Sequence, residues 1–65
     1  MKKILVTGAN GFVGNKLTKL LKKRNYEVIS SDIKGEVDYQ GSLLDPNFVK
    51  NLPDVDAIIN CAAVQ

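Results

Sequence analysis

Apolar positions along the chain fall first into a continuous run and then into a helical period. Lys3-Ile4-Leu5-Val6-Thr7 carries its hydrophobic residues without alternation and is bounded by Gly8, as a parallel strand buried on both faces requires. From Gly11 onward Val13, Leu17, Leu20 and Leu21 recur at helical spacing, while Lys16, Lys19 and Lys23 fall on the opposing arc. This predicts a helix from about Phe12 to Arg24, with Asn25 as its stop. Tyr26-Glu27-Val28-Ile29-Ser30-Ser31 then reads as a second strand ending at Asp32. Strand, helix and strand together fill the about 30 residues of a βαβ unit.

Glu36-Val37-Asp38-Tyr39 alternates like a strand, but only Ile33 to Gly35 separate it from the second strand. A parallel neighbour ordinarily needs a crossover of about a dozen residues, so this segment is expected to be a short extended edge piece or a loop. Asp45-Pro46 is a helix start, aspartate at the cap and proline at the first helical position, followed by Phe48, Val49 and Leu52 on one face. Pro53 ends that short helix. Val55 to Cys61, centred on Ala57-Ile58-Ile59, is a third apolar run and is expected to form another buried parallel strand. No repeat, low-complexity tract or flexible linker interrupts the pattern.

Composition narrows the setting more than the fold. With 65 residues, 45% hydrophobic and 25% charged, the chain suits one small soluble domain at most. Cys61 is the single cysteine and there is no histidine. Neither an internal disulfide nor a zinc site can be completed, and Cys61 has no base to activate it, so it reads as a small core residue in a reducing, cytoplasmic setting. The apolar run after Lys2-Lys3 is too short for an export signal or a membrane span. The net charge of +2 gathers in Lys16, Lys19, Lys22, Lys23 and Arg24 of the predicted helix. Without Trp or an RNA-binding signature, that is a solvated helix face rather than a nucleic-acid or membrane surface. A small RNA-binding module is a third reading, which salt-dependent RNA affinity would mark.

The chemistry lies in Thr7-Gly8-Ala9-Asn10-Gly11-Phe12-Val13-Gly14, with glycines spaced three apart between strand and helix. Gly8 lets the chain turn off the strand, Gly11 leaves room for a pyrophosphate at the helix start, and Gly14 lets helix and strand approach closely. The N–H groups of Gly11, Phe12 and Val13, with the positive end of the helix dipole, are then expected to hold the phosphate. Three glycines alone are a weak signal, because glycines also serve turns and caps. Here they follow a strand, open an amphipathic helix and lead to Asp32 at the end of the next strand, where a carboxylate would accept from ribose hydroxyls. A Walker loop is excluded, since Val13 stands where its second glycine would be. Asp32, whose bland alternative is a capping or turn residue, would repel a 2′-phosphate and argues for NAD over NADP. Lys34 nearby would soften that preference. The expected class is α/β, a parallel-sheet Rossmann-type NAD(P)-binding fold, of which residues 1–65 form the N-terminal half.

These residues resemble a family. Thr-Gly-x-x-Gly-x-x-Gly is similar to the motif of the extended short-chain dehydrogenase/reductases, the NAD-dependent nucleotide-sugar epimerases, dehydratases and reductases. Gly41-Ser42-Leu43-Leu44-Asp45 resembles that family's Gly-Asp-Leu-x-Asp segment, and Asp56-Ala57-Ile58-Ile59-Asn60-Cys61-Ala62-Ala63 resembles its Asp-x-Val-Ile-His-x-Ala-Ala strand. The resemblance covers nearly the whole chain. It implies pyrophosphate contacts at Gly8, Gly11, Phe12 and Val13 beside the packing glycine Gly14, and ribose contacts at Asp32 with Ile33. It also implies adenine contacts at Ser42 and Leu43, and a far wall of Cys61, Ala62 and Ala63. Two positions depart from the pattern. Ser42 replaces an aspartate, which weakens any contact to the adenine amino group. Asn60 replaces the commoner histidine, and with the short link after Asp32 this is closer to the reductases that make deoxythymidine-diphosphate-rhamnose.

The family's catalytic Ser/Thr and Tyr-x-x-x-Lys would lie beyond residue 65, with its sugar-nucleotide part and dimer helices. Tyr39 is no substitute, because Leu43 stands four positions later. The resemblance therefore implies a homodimeric parent that acts on a nucleotide sugar by hydride transfer, and a 65-residue segment inactive by itself. A parent that binds the dinucleotide as a sensor or regulatory module, without chemistry, shares all of these residues. The first helix should cover one face of the sheet and the Asp45–Leu52 helix the other only in part. Ala57 to Asn60 would present an apolar edge. The chain alone is accordingly expected to be poorly stable as a monomer and to self-associate.

Overall fold

In the computed structural model, which describes residues 2–61, the chain runs β1 (Lys3–Thr7), α1 (Phe12–Lys23), β2 (Glu27–Asp32), β3 (Tyr39–Gln40), α2 (Pro46–Lys50) and β4 (Ala57–Asn60). Every strand pair is parallel, and the order across the sheet is β3-β2-β1-β4. The chain thus builds outward from β1 through β2 to β3, then crosses to the other side of β1 for β4. That reversal is the switch point of a doubly wound, Rossmann-type α/β fold.

Position in the sheet decides burial. β1 has a strand on each side, and its Ile4, Leu5 and Val6 are 6%, 1% and 0% exposed. Ile4 and Val6 anchor the core with Ala9, and Leu21, Val28, Val37, Ile59 and Cys61 pack around them. The third apolar run is not buried as the run alone suggested, and it presents the apolar edge expected of Ala57 to Asn60. It does form a parallel strand, in register from Ile4↔Ala57 to Thr7↔Asn60, but Ala57, Ile58 and Asn60 are exposed and Ile59 only half-buried. An apolar run reports what a strand can bury, and burial itself needs neighbours. Among the described residues β4 has a strand on one side only.

The helix α1 rests on the sheet through buried Gly14 and half-buried Leu17, Thr18 and Leu21, one stripe at helical spacing. Val13 and Leu20, read from the sequence as part of that stripe, lie about 90° and about 110° around the helix from its centre at about 100° per residue and are 63% and 48% exposed. All five basic residues of the segment face water. The helix stops where expected and by a definite mechanism. Asn25 takes φ +68, the Asn25 N–H donates to the Lys22 carbonyl and the Tyr26 N–H to the Leu21 carbonyl. This is the paired closure of a Schellman motif.

The segment after Asp32 shows how a parallel strand can follow so short a link. Only Ser31↔Tyr39 and Asp32↔Gln40 are paired, so the chain has to retreat by little before pairing begins. The Asp38 side chain does part of that work, its Oδ2 accepting from the Ser30 N–H at 2.9 Å and its own N–H donating to Ser30 Oγ at 3.0 Å. The strand is Tyr39–Gln40, the edge piece foreseen but shifted along the chain. In α2 the Asp45 carboxylate accepts from the Asn47 N–H at 2.9 Å with Pro46 at the first turn. The helix is shorter than expected because its last turn tightens, with Asn51 and Leu52 donating to Phe48 and Val49. Phe48 and Leu52 are half-buried, while Val49 is exposed.

Candidate functional site

At the C-terminal ends of β1, β2 and β4, beside the switch point, a cleft of about 370 Å³ opens, within the range of small-molecule sites. The glycine turn forms its floor. Gly8 takes φ +69, a conformation side-chain-bearing residues rarely adopt, and the Gly11 N–H closes the turn on the Gly8 carbonyl at 3.0 Å. A Cβ on Gly11 would lie 3.2 Å from that carbonyl, and one on Gly14 would overlap it. Gly14 is buried and outside the cleft wall, so its part is the close approach of helix to turn. The Gly11 N–H, expected at the phosphate, is already used, which leaves those of Phe12 and Val13 for a ligand. Nothing competes from the side chains, since α1 has no side-chain cap and no acidic residue in its first turn. Such a helix start is an anion site in waiting.

Opposite stands Asp32. Its Oδ2 accepts from the Asn10 N–H at 2.8 Å and its Oδ1 from the Ile33 N–H at 2.7 Å. The turn is also tied to β2 by Ala9 N–H to the Ser31 carbonyl, 3.0 Å. The bland reading of Asp32 as a turn residue is therefore part of its role, and the same two bonds fix the plane of a carboxylate that has lone pairs left for hydroxyl donors. Phe12, 77% exposed, has Lys16 Nζ 4.3 Å from its ring centroid, a cation–π contact. Ile33 and Leu43, 66% and 39% exposed, give the far wall two apolar side chains, suited to a flat aromatic base.

Eight of the sequence-derived residues thus share one cleft: Gly8, Gly11, Phe12 and Val13 on one side, Asp32, Ile33, Leu43 and Cys61 around the rest. Ser42 is not among them, and its hydroxyl accepts from the Leu44 N–H at 3.1 Å in a local turn. Ala62 and Ala63 lie outside the described residues. The Cys61 N–H bonds the Thr7 carbonyl at 2.9 Å, carrying the β1–β4 ladder one residue further. Thr7, Ser31 and Gly41 also line the cleft and were not singled out from the sequence. Thr7 and Ser31 are register partners at strand ends, where side chains necessarily border a switch-point crevice. At Gly41 a Cβ would overlap the Phe48 ring, so its bareness admits that ring. Tyr39 lines a separate groove with Pro53. Among the described residues no three His, Cys, Asp or Glu converge as a metal site, and no helix is long and apolar enough to cross a membrane.

The outermost ties hold β4 in place. The Lys3 N–H donates to Asp56 Oδ2 at 2.7 Å while the Asp56 N–H returns to the Lys3 carbonyl at 2.8 Å. At the other end Thr7 Oγ1 donates to Asn60 Oδ1 at 2.7 Å. Asn60, the departure from the family pattern, therefore pairs with its register partner beneath the glycine turn. A bare helix start, a glycine cradle that a Cβ would narrow, a carboxylate fixed across from it and apolar walls make a donor set that fits a dinucleotide. A family model, the NAD dependent epimerase/dehydratase family, matches residues 4–65. No curated protein and no solved structure matches the chain.

Proposed function

The chain belongs to the NAD dependent epimerase/dehydratase family, and on that premise we propose that its cleft binds NAD(H) in preference to NADP(H). The family's cofactor is NAD(P); the choice between the two rests on Asp32. Its carboxylate, held by the Asn10 and Ile33 N–H groups, is the observation that carries the reading, because a fixed negative charge at the ribose accepts from two hydroxyls and repels a 2′-phosphate. Phe12 and Val13 N–H groups at the start of α1 would receive the pyrophosphate, with Gly8 and Gly11 leaving it room. Ile33 and Leu43 would flank the adenine, and Cys61, Ala62 and Ala63 would line the far side of the cofactor.

Bound nicotinamide supplies hydride acceptance and donation. In this reading the residues lining the cleft bind and orient the dinucleotide, and residues 1–65 serve as a nucleotide-binding part of the domain. On the family resemblance the protein is read as a homodimeric, cytoplasmic enzyme acting on a nucleotide sugar. Calorimetric titration of NAD and NADP into the protein tests the cofactor choice. NAD is expected to bind more tightly, and Asp32→Ala to narrow the gap. Equal or tighter NADP binding by the unsubstituted protein would overturn the assignment.

A further inference from the structure

Ile33 lines the cleft at the start of the irregular segment Ile33 to Gly35, whose ties are few. Ile33 bonds its own neighbour Asp32, and Gln40 Nε2 reaches the Ile33 carbonyl at 3.4 Å. The short bond that ties this segment to the glycine turn lies outside the cleft lining, where Asn10 Nδ2 donates to the Lys34 carbonyl at 2.7 Å. The same residue gives its backbone N–H to Asp32. Asn10 therefore fastens both the carboxylate and the segment beyond it. Gly35 is shaped around this contact. It takes φ +92, and a Cβ there would overlap the Asn10 side-chain amide.

We propose that Asn10 is a positioning residue whose side-chain amide sets the distance between the phosphate cradle and the adenosine wall, and through it the discrimination against a 2′-phosphate. The proposal rests on the cofactor reading above. A ligand confined to the cradle does not sense this spacing, whereas a ligand that reaches from the cradle to Asp32 and Ile33 does. Without the amide the Lys34 carbonyl loses its partner and the wall can yield outward, admitting bulk at the ribose. The backbone N–H that holds Asp32 is unchanged, so the effect falls on the wall and leaves the turn intact.

The test compares Asn10→Ala with the unsubstituted protein in titrations with ADP, inorganic pyrophosphate, NAD and NADP, followed by NMR. It is paired with amide hydrogen exchange of the ligand-free proteins. Expected are a loss of ADP and NAD affinity by about fivefold to tenfold, the size of one hydrogen bond, with pyrophosphate affinity unchanged. The ratio of NAD to NADP affinity should fall, and the Ile33 amide should exchange faster while β1 is unaltered. Gly35→Ala, which crowds the same amide, should give the same pattern and add little to Asn10→Ala. ADP affinity unchanged in Asn10→Ala, or an equal loss for pyrophosphate and ADP, would overturn the positioning role. If the unsubstituted protein bound none of the nucleotides, the cofactor reading would fall by itself. Ile33 exchange would then decide the positioning role, unchanged exchange in Asn10→Ala overturning it.

Discussion

At the C-terminal ends of β1 and β2 the chain is tied at close intervals, whereas along β4 and the outer flank of α1 apolar side chains face water. In the first region Ala9, Asn10 and Gly11 each donate to a nearby backbone or carboxylate oxygen. In the second, Leu20 and Ile58 are 48% and 63% exposed, and the strand is held by its ladder and by clasps at Asp56 and Asn60. The contrast separates two things that a nucleotide-binding domain needs. The geometry of the glycine turn and of Asp32 is set locally, by turn and strand-end bonds within residues 8–33, and does not wait for the flank to be covered. Stability is not local in that way, since it depends on how much of the apolar flank finds a partner.

The sharpest way to break the comparison is at Gly14, where the two regions meet. Gly14→Ala puts a Cβ into the Gly8 carbonyl, and backbone cannot step aside as a flexible side chain does. Overpacking of this kind costs about 3 kcal/mol, against roughly 3–5 kcal/mol available to so small a core. Circular dichroism is expected to show loss of the cooperative fold, and a melt like that of the unsubstituted protein would refute the close-approach role. Gly11→Val tests the cleft without the scaffold. Its Cβ would sit 3.2 Å from the same carbonyl, a contact that a small shift relieves. The expected outcome is a folded protein with no measurable NAD binding; retained affinity would put the phosphate elsewhere.

What the sequence made legible follows the same division. The stop at Asn25, the cap at Asp45 and the close approach at Gly14 were readable because each is a local rule carried by one residue type. The parallel α/β class and the cluster from Gly8 to Asp32 followed from order along the chain. The apolar run of β4 by itself suggested a buried strand, and only the count of its neighbours gave the exposed edge that is found; Val13 and Leu20 were misread because an apolar stripe can be wider than the face that packs. The start of β3 turned on the Asp38 side chain standing in for a ladder bond, which alternation does not reveal. Ser42 and the Gly11 N–H were assigned outward to a ligand, yet both are satisfied within their own turns.

The smallest effect belongs to the exposed flank. Ile58→Lys replaces a side chain already mostly in water, so stability should change by no more than about 0.5 kcal/mol. A charge at an edge strand disfavours pairing with another chain. Sedimentation over a range of concentrations is expected to show less self-association for Ile58→Lys than for the unsubstituted protein. Identical behaviour would mean that β4 is not where copies meet.

The central claim is that the bare start of α1 and the carboxylate fixed opposite it together receive one dinucleotide. Backbone amide shifts followed by NMR during titration with NAD address it residue by residue. The account predicts saturable shifts at Phe12 and Val13, where the phosphate would arrive, and at Asn10 and Ile33, whose N–H groups hold Asp32, with β3 and α2 nearly still. Shifts confined to other surfaces, or none at saturating NAD, would contradict it.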